Sequence, residues 1–411
     1  MDKKKVLLLT VEAGFGHLYA AKAIKEAVDE KYGESCETEI VNVFDDKHVP
    51  VFLRRTQDDY DKVVRDWPGI YKLGYEATDG PLRGSIFENS LTVLLYEAVR
   101  RVYKMYRPDV IVTTFPFFQA PLGAYLTLKN HYTPLITVVT DLVTIHFTWY
   151  HRAADFCLVP TARAANLAIG YGLSPETVKI TGIPVRTHFA KKQDKKALRT
   201  KLGLDPDRVT VLAVGSNRIA TLPKYLEPLN HSGFPLQFLV SAGGSDSLYA
   251  DLKNIDWHYP AKVFDFVENM PELMHAADFM VSKPGGLTVT EALASGLPLM
   301  LIEAIPGQET GNQEYVVEKG AGAYIKKPLN ILETLSHWLA DDGKLLKECA
   351  QNAARIGRPR AAYDVADLVW EAVQHGPYVR SNRFPLGVKS IRELLEGFGI
   401  LADERNTGSL G

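Results

Sequence analysis

The chain has 411 residues, too many for one compact core and about right for two domains. Hydrophobic residues make up 46% and charged residues 23%, which excludes a disordered or fibrous protein. With 47 Lys and Arg against 49 Asp and Glu, the formal net charge is −2, so nothing in the bulk charge calls for a nucleic-acid partner.

The amino terminus, Met1 to Lys5 followed by VLLLT, has too short an apolar run for a signal peptide, and Glu12 follows closely. Residues 6–10 (VLLLT) read as the first strand and residues 38–43 (TEIVNV) as the second. Between them, Glu12-Ala13-Gly14-Phe15-Gly16-His17 forms a turn that opens a helix near Tyr19. Glycines at such a turn let backbone approach a ligand, and helix N–H groups there favour an anion. The spacing is not that of a dinucleotide fingerprint. His17 either caps the helix or serves as a general base on a hydroxyl at a strand end.

The alternation of strands and helices breaks at 51–107, which reads as helices rich in Tyr, Trp and Arg, such as Trp67, Tyr71, Arg100 and Arg101. An insertion of this length inside a βαβ domain usually serves a purpose. Strands resume at 109–114 (DVIVTT), 135–140 (LITVVT) and 156–160 (FCLVP). The uncharged stretch 110–128 contains Pro116, Gln119 and Pro121, so it reads as strand, turn and helix start rather than a membrane span. After the 135–140 strand come Asp141, His146, Trp149 and His151. Asp141 is suited to orient a base or bind a hydroxyl. The His and Asp spacing matches no zinc pattern, and no metal is expected. Trp149 either packs in the core or faces an acyl chain or membrane interface. Three scattered cysteines, Cys36, Cys157 and Cys349, form no CxxC pair and fit a reducing compartment.

A polar, basic, proline-containing stretch at 178–204 reads as the hinge between two α/β domains. Beyond it, strands are expected at 209–215, 236–243, 278–283 and 298–303. The third of these feeds Lys283-Pro284-Gly285-Gly286-Leu287-Thr288-Val289-Thr290-Glu291, a glycine turn opening a helix. That is a phosphate-binding arrangement, with Glu291 placed to accept from a ribose diol. One strand later, Gln308, Glu309 and Asn312 lie in a polar loop suited to reading sugar hydroxyls. Arg186 and Arg218 either neutralise a diphosphate or sit solvated at the surface. The tail after Pro377 holds one helix, near 391–397.

The ordered set GFGH, TDL with TWYH, GIPVR, EALASGLPLML and IPGQETGN resembles the monogalactosyldiacylglycerol synthases and the related bacterial diacylglycerol glucosyltransferases. It is more distantly similar to the lipid-II-forming N-acetylglucosaminyltransferase. The resemblance implies an α/β protein of GT-B type, two Rossmann-like domains facing a central cleft. Residues 1–185 would be the acceptor domain with its membrane-facing insertion at 51–107. Residues 186–376 would be the UDP-sugar domain, and 377–411 a helix and tail. The implied activity is inverting transfer of a hexosyl group from UDP-glucose or UDP-galactose to diacylglycerol or a glycolipid. UDP-sugar would be the co-substrate, without cofactor or metal.

The same resemblance makes His17 the catalytic base or orienting group for the acceptor hydroxyl and Trp149 an acceptor or lipid contact, and the residues themselves add Asp141 as a second candidate base and Gly14 and Gly16 beside the acceptor. The resemblance gives UDP-sugar contacts to Arg186, Val263, Phe264, Asp265, Phe266, Val267, Gly285, Gly286, Leu287, Thr288, Val289, Glu291, Gln308, Glu309 and Asn312, to which the residues themselves add Arg218. An anionic membrane surface would be a partner and nucleic acid would not. The expected place is cytoplasmic, peripheral on the inner face of the cell membrane. Two other readings stay open: transfer to a polyprenyl-linked saccharide or small natural product, and UDP-sugar epimerisation on a similar scaffold.

Overall fold

Twelve strands fall into two parallel sheets in a computed structural model that describes residues 2–12, 15–54, 81–129, 132–216, 219, 221–304, 309–376 and 387–401. The chain divides into two compact units, one of residues Met1–Thr187 with Arg360–Gly411, the other of His188–Pro359.

In the first unit the strands are β1 (Lys4–Thr10), β2 (Cys36–Asn42), β3 (Val110–Thr113), β4 (Leu135–Val138), β5 (Phe156–Val159) and β6 (Val178–Ile180). Their order is β2-β1-β3-β4-β5-β6, all parallel. The helices of this stretch are α1 (Phe15–Tyr32), α2 (Pro81–Tyr106), α3 (Gln119–Leu128) and α4 (Ala162–Gly170). Side chains alternate across a strand, so one apolar run supplies both faces. Val6 and Leu8 of β1 pack with Ala23, Ile24, Ala27 and Val28 of α1. Leu7 and Leu9 pack on the other side with Leu91, Leu95, Leu122 and Leu126 of α2 and α3.

The second unit holds β7 (Val209–Val214), β8 (Leu236–Ser241), β9 (Ala261–Phe264), β10 (Phe279–Ser282), β11 (Leu299–Leu301) and β12 (Gly322–Tyr324). They are ordered β12-β11-β10-β7-β8-β9, again parallel. Its helices are α5 (Lys195–Lys201), α6 (Leu222–Asn230), α7 (Asp246–Lys253), α8 (Met270–Ala276), α9 (Gly286–Ala294), α10 (Thr310–Glu318) and α11 (Asn330–Ile356). Each sheet therefore has a point where the strand order reverses, between β1 and β3 and between β10 and β7. Open α/β sheets bind ligands beyond the carboxyl ends of the strands at such points.

Nine strands are expected from the apolar runs, and all nine are present with ends that differ by no more than two residues. The other three, β6, β9 and β12, are all edge strands of three or four residues with partly exposed side chains. An edge strand of that size needs no continuous apolar run, so periodicity does not reveal it.

The extent of the donor domain, expected to run to 376, is corrected at its end. Helix α12 (Ala361–His375) belongs to the first unit, where Val365, Ala366 and Val369 bury against Val6, Leu8 and Val112. Trp370 stacks on Tyr32 at 5.2 Å, Tyr363 hydroxyl donates to Glu30 at 2.5 Å, and Lys31 pairs with Asp367. An amphipathic period shows that a helix covers a sheet without showing which one. Helix α13 (Gly387–Gly397) docks its Ile391 and Leu395 into the cluster around α2 and α3. Within the insertion, 55–80 lie outside the described residues, and 81–106 form α2. No helix among the described residues is long and apolar enough to cross a membrane.

Candidate functional site

His17 sits in the first turn of α1, where the chain leaves β1 at the reversal point of the first sheet. Its Nδ1 lies 2.9 Å from the carbonyl of Thr114, just past β3, and 2.7 Å from Thr140 Oγ1, just past β4. A carbonyl only accepts, so Nδ1 carries the hydrogen and Nε2 keeps a lone pair. Three adjacent strand ends thus fix both the ring and its tautomer. Phe115 packs edge-on at 5.1 Å and the Trp149 ring lies at 6.0 Å. Burial pushes the imidazole down to about 4, opposed by the bond to Thr114. His17 is therefore neutral at physiological pH. A Cβ built on Gly16 would meet nothing within 4 Å, so packing of this chain does not demand the glycine there.

Asp141 follows Thr140 directly. Its Oδ2 accepts a 2.6 Å hydrogen bond from Trp149 Nε1. Burial raises its carboxyl to about 6, and the indole bond pulls the other way. Burial has thus inverted the usual order, leaving the carboxylate as the group titrating nearest neutrality.

The 3-10 turn Phe147–Trp149 that carries the indole is stapled to the sheet by Gln119, which is wholly buried. Gln119 Nε2 lies 3.1 and 3.2 Å from the carbonyls of Thr148 and Trp149, and its Oε1 accepts from Thr137 Oγ1 at 2.8 Å. Gln119→Leu is expected to destabilise the protein by at least about 2 kcal/mol, read as a lowered urea midpoint, because those buried polar groups lose their partner.

Trp149 itself is 1% exposed, which corrects its expected contact with acceptor or lipid. The ring is packed among Val139, Ile145, Tyr150 and Val159 and has no face left for an acyl chain. The neighbouring histidines serve the same loop. His146 Nδ1 accepts from Thr148 N–H at 3.4 Å, and His151 Nδ1 accepts from Ala153 N–H at 3.0 Å.

In the second unit the glycine turn lies at the reversal point, between β10 and α9. Ser282 Oγ donates to the Val214 carbonyl at 3.0 Å, tying the ends of β10 and β7 together. Gly285 is the N-cap of α9 with extended backbone. Gly286, Leu287, Thr288 and Glu291 are all half-buried around the start of that helix. Val289 is removed from the expected contacts. Its side chain is fully buried and its N–H is spent on the Gly285 carbonyl at 2.9 Å.

Glu309 and Asn312, expected to read sugar hydroxyls, brace this turn instead. Glu309 is 3% exposed and forms an ion pair with Lys283; Asn312 is 5% exposed and donates to the Pro284 carbonyl at 3.0 Å. Burial against the turn keeps both side chains from an incoming sugar in this conformation. A Cβ on Gly285 would lie 3.1 Å from Lys283 Nζ, so the bare glycine makes room for that ammonium.

At the far edge of the second sheet, Val263 and Phe264 end β9. The carbonyls of Phe264 and Asp265 accept from Ala242 and Gly244 at 2.9 and 3.0 Å. Phe266 is 53% exposed beside Gly244, which holds φ +76, and half-buried Val267 follows it. Arg186 is half-buried and lies in the first unit, between buried Val185 and buried Thr187. Thr187 is held by Glu26 and Glu30 of α1 at 3.3 and 3.0 Å. Gly14, Arg218 and Gln308 lie outside the described residues.

Sequence reasoning assigned no individual role to Thr114, Thr140, Gln119 or Lys283 in these arrangements. It also missed Glu303, a non-glycine residue at φ 47 after β11, whose carboxylate accepts from Thr221 Oγ1. Backbone held in that region stores strain and tends to cluster near functional loops.

Residues 17–185 match the family described as monogalactosyldiacylglycerol (MGDG) synthase, and residues 211–364 match the glycosyltransferase family 28 C-terminal domain. The chloroplastic monogalactosyldiacylglycerol synthase of Spinacia oleracea is 33% identical over 391 residues, covering 92% of this chain and 74% of that protein. Monogalactosyldiacylglycerol synthase 1 of Arabidopsis thaliana, also chloroplastic, is 31% identical over 383 residues, covering 90% and 71%. Among solved structures, MurG of Acinetobacter baumannii has a TM-score of 0.57 at 16% identity, covering 90% of this chain and 100% of that one. A putative UDP-N-acetylglucosamine 2-epimerase from Listeria monocytogenes also reaches 0.57, at 17% identity, with coverage of 93% and 100%. These structures share the fold, and likeness at that level does not separate transferase from epimerase.

The expected placement on the inner face of the cell membrane is corrected by the relatives, which are named as chloroplastic proteins. With two Rossmann-like units of GT-B type and this likeness along nearly its whole length, the chain belongs to the monogalactosyldiacylglycerol synthase family of glycosyltransferases.

Proposed function

We propose that the protein transfers a galactosyl group from UDP-galactose to the free hydroxyl of diacylglycerol, inverting the anomeric centre. The names of the relatives supply the substrates. The observation that carries the reading is the placement of His17 at the reversal point of the first sheet and of Asp141 beyond the neighbouring strand β4, linked through Thr140 and Trp149, inside the segment that matches the synthase family. The acceptor oxygen forms a bond to the anomeric carbon as the bond from that carbon to UDP breaks. Asp141 takes the hydroxyl proton, its carboxyl near 6 being ionised at neutral pH yet basic enough to hold it. His17 stays neutral, and its ring, fixed by Thr114 and Thr140, borders the acceptor.

The leaving diphosphate receives hydrogen bonds from the backbone N–H groups of Gly286, Leu287 and Thr288 at the start of α9. Phe266 and Val267 meet the uracil. Charge on the leaving group is balanced by these groups without a metal, so activity persists in excess chelator. Diacylglycerol resides in a lipid surface, and the exposed Val51, Phe52 and Ile86, which flank 55–80 in the chain, together with exposed Arg101 and Lys104, suit an anionic one.

The test is incubation with dispersed diacylglycerol and each of UDP-galactose, UDP-glucose and UDP-N-acetylglucosamine, scoring UDP and glycolipid separately. Galactolipid from UDP-galactose is expected, unchanged by EDTA. UDP release without glycolipid would contradict the acceptor, and a preference for UDP-glucose would contradict the sugar.

A further inference from the structure

Trp149 is among the largest wholly buried side chains of the protein, and it sits where the acceptor chemistry is placed. Its backbone is fixed from several sides. Its N–H donates to the His146 carbonyl at 3.2 Å, and its carbonyl accepts from Gln119 Nε2. Its ring fills the space between His17 on one side and the apolar group of Val139, Ile145, Tyr150 and Val159 on the other. Only the indole N–H is directed at a charged group, Asp141 Oδ2 at 2.6 Å.

We infer that Trp149 is a positioning residue for the transfer reaction: its indole N–H holds one carboxylate oxygen of Asp141 and leaves the other for the acceptor hydroxyl. The inference rests on Asp141 being the proton acceptor. A buried indole needs some acceptor for its N–H, and a main-chain carbonyl would satisfy that need without consequence for catalysis. Here the partner is a half-buried carboxylate one residue past the hydroxyl that touches His17. The bond is charge-assisted when Asp141 is ionised and favours that form.

Burial moves three neighbouring titratable groups away from neutrality. On α1, His17 is pushed down to about 4, and on the following loop His151 is too. On β5, burial pushes the Cys157 thiol up to about 12. His146 faces its own turn, at 2.8 Å from Thr148 Oγ1.

Trp149→Phe keeps an aromatic ring and removes the donor. The acid limb of its kcat/KM profile is expected to move up by about one pH unit, so activity falls more at pH 6 than at pH 8. A limb left at the wild-type position, with activity lowered equally at every pH, would reduce Trp149 to packing and overturn the inference. So would a variant that loses only vesicle binding and keeps the wild-type profile.

A second measurement does not depend on how the variant folds. The sequence has five tryptophans, and one indole N–H resonance of the wild-type protein is expected to titrate near pH 6 and to stop doing so in Asp141→Asn. Absence of any titrating indole would overturn the coupling. If Asp141→Asn keeps full activity, the reading of Asp141 as proton acceptor fails; an unmoved limb in Trp149→Phe with Asp141→Asn inactive sinks the positioning role alone.

Discussion

Asp141→Asn is expected to lower kcat by about 10²–10⁴-fold, the usual cost of removing the group that takes the proton in the transition state. The same variant should change the shape of the pH profile. A carboxylate accepts a proton only when ionised, and burial has raised Asp141 to about 6, so wild-type kcat/KM declines as pH falls through that value. A histidine at its ordinary value near 6.5 would give almost the same limb, so the wild-type profile alone does not identify the group. His17, however, is pushed down to about 4. In Asp141→Asn the residual activity should therefore hold down to about pH 4 before the neutral imidazole is lost. A residual limb still at 6 would return the proton to another group. His17→Ala should also cost activity, because it removes the ring that borders the acceptor hydroxyl.

The second large effect is expected at Lys283. Its ion pair with Glu309 is mostly shielded from water, with side-chain exposures of 14% and 4%. Lys283→Met leaves the Glu309 carboxylate buried without this cation and should destabilise the second unit by about 3–5 kcal/mol. Replacing both partners by apolar residues, as in Lys283→Met with Glu309→Met, should recover most of that loss in denaturant titrations. Donor affinity should not recover with it. The pair braces Pro284 and Gly285 together with Asn312, and the amides proposed to meet the diphosphate follow directly. Recovery of UDP affinity in the double variant would show that the turn needs no bracing from this pair.

Much of this arrangement is legible in the amino-acid sequence. Long apolar runs locate nine of the twelve strands, and glycines at strand ends locate both turns, because burial on two faces and close backbone approach each demand particular residue types. The partners of His17 are another matter. Thr114 and Thr140 lie 97 and 123 residues away along the chain, and ordinary threonines carry no mark that a given one will face a histidine. Glu309 and Asn312 are polar residues in a loop, and a sugar-reading role and a buried bracing role look alike until their burial is known. Trp149 shows the same limit, since an indole suits a lipid interface and a core equally well. The assignment of α12 fails for a different reason, because the sheet a helix covers is decided by chain reversal over hundreds of residues.

The fold is shared with MurG and with a putative UDP-N-acetylglucosamine 2-epimerase, so the product decides the activity most directly. The protein would be incubated with diacylglycerol and UDP-galactose, and the lipid product analysed by NMR for linkage and anomeric configuration. The account predicts a single β-linked galactose on the glycerol hydroxyl with one UDP released per lipid formed. An α-linked product, or recovery of an isomerised UDP-sugar with no glycolipid, would contradict it.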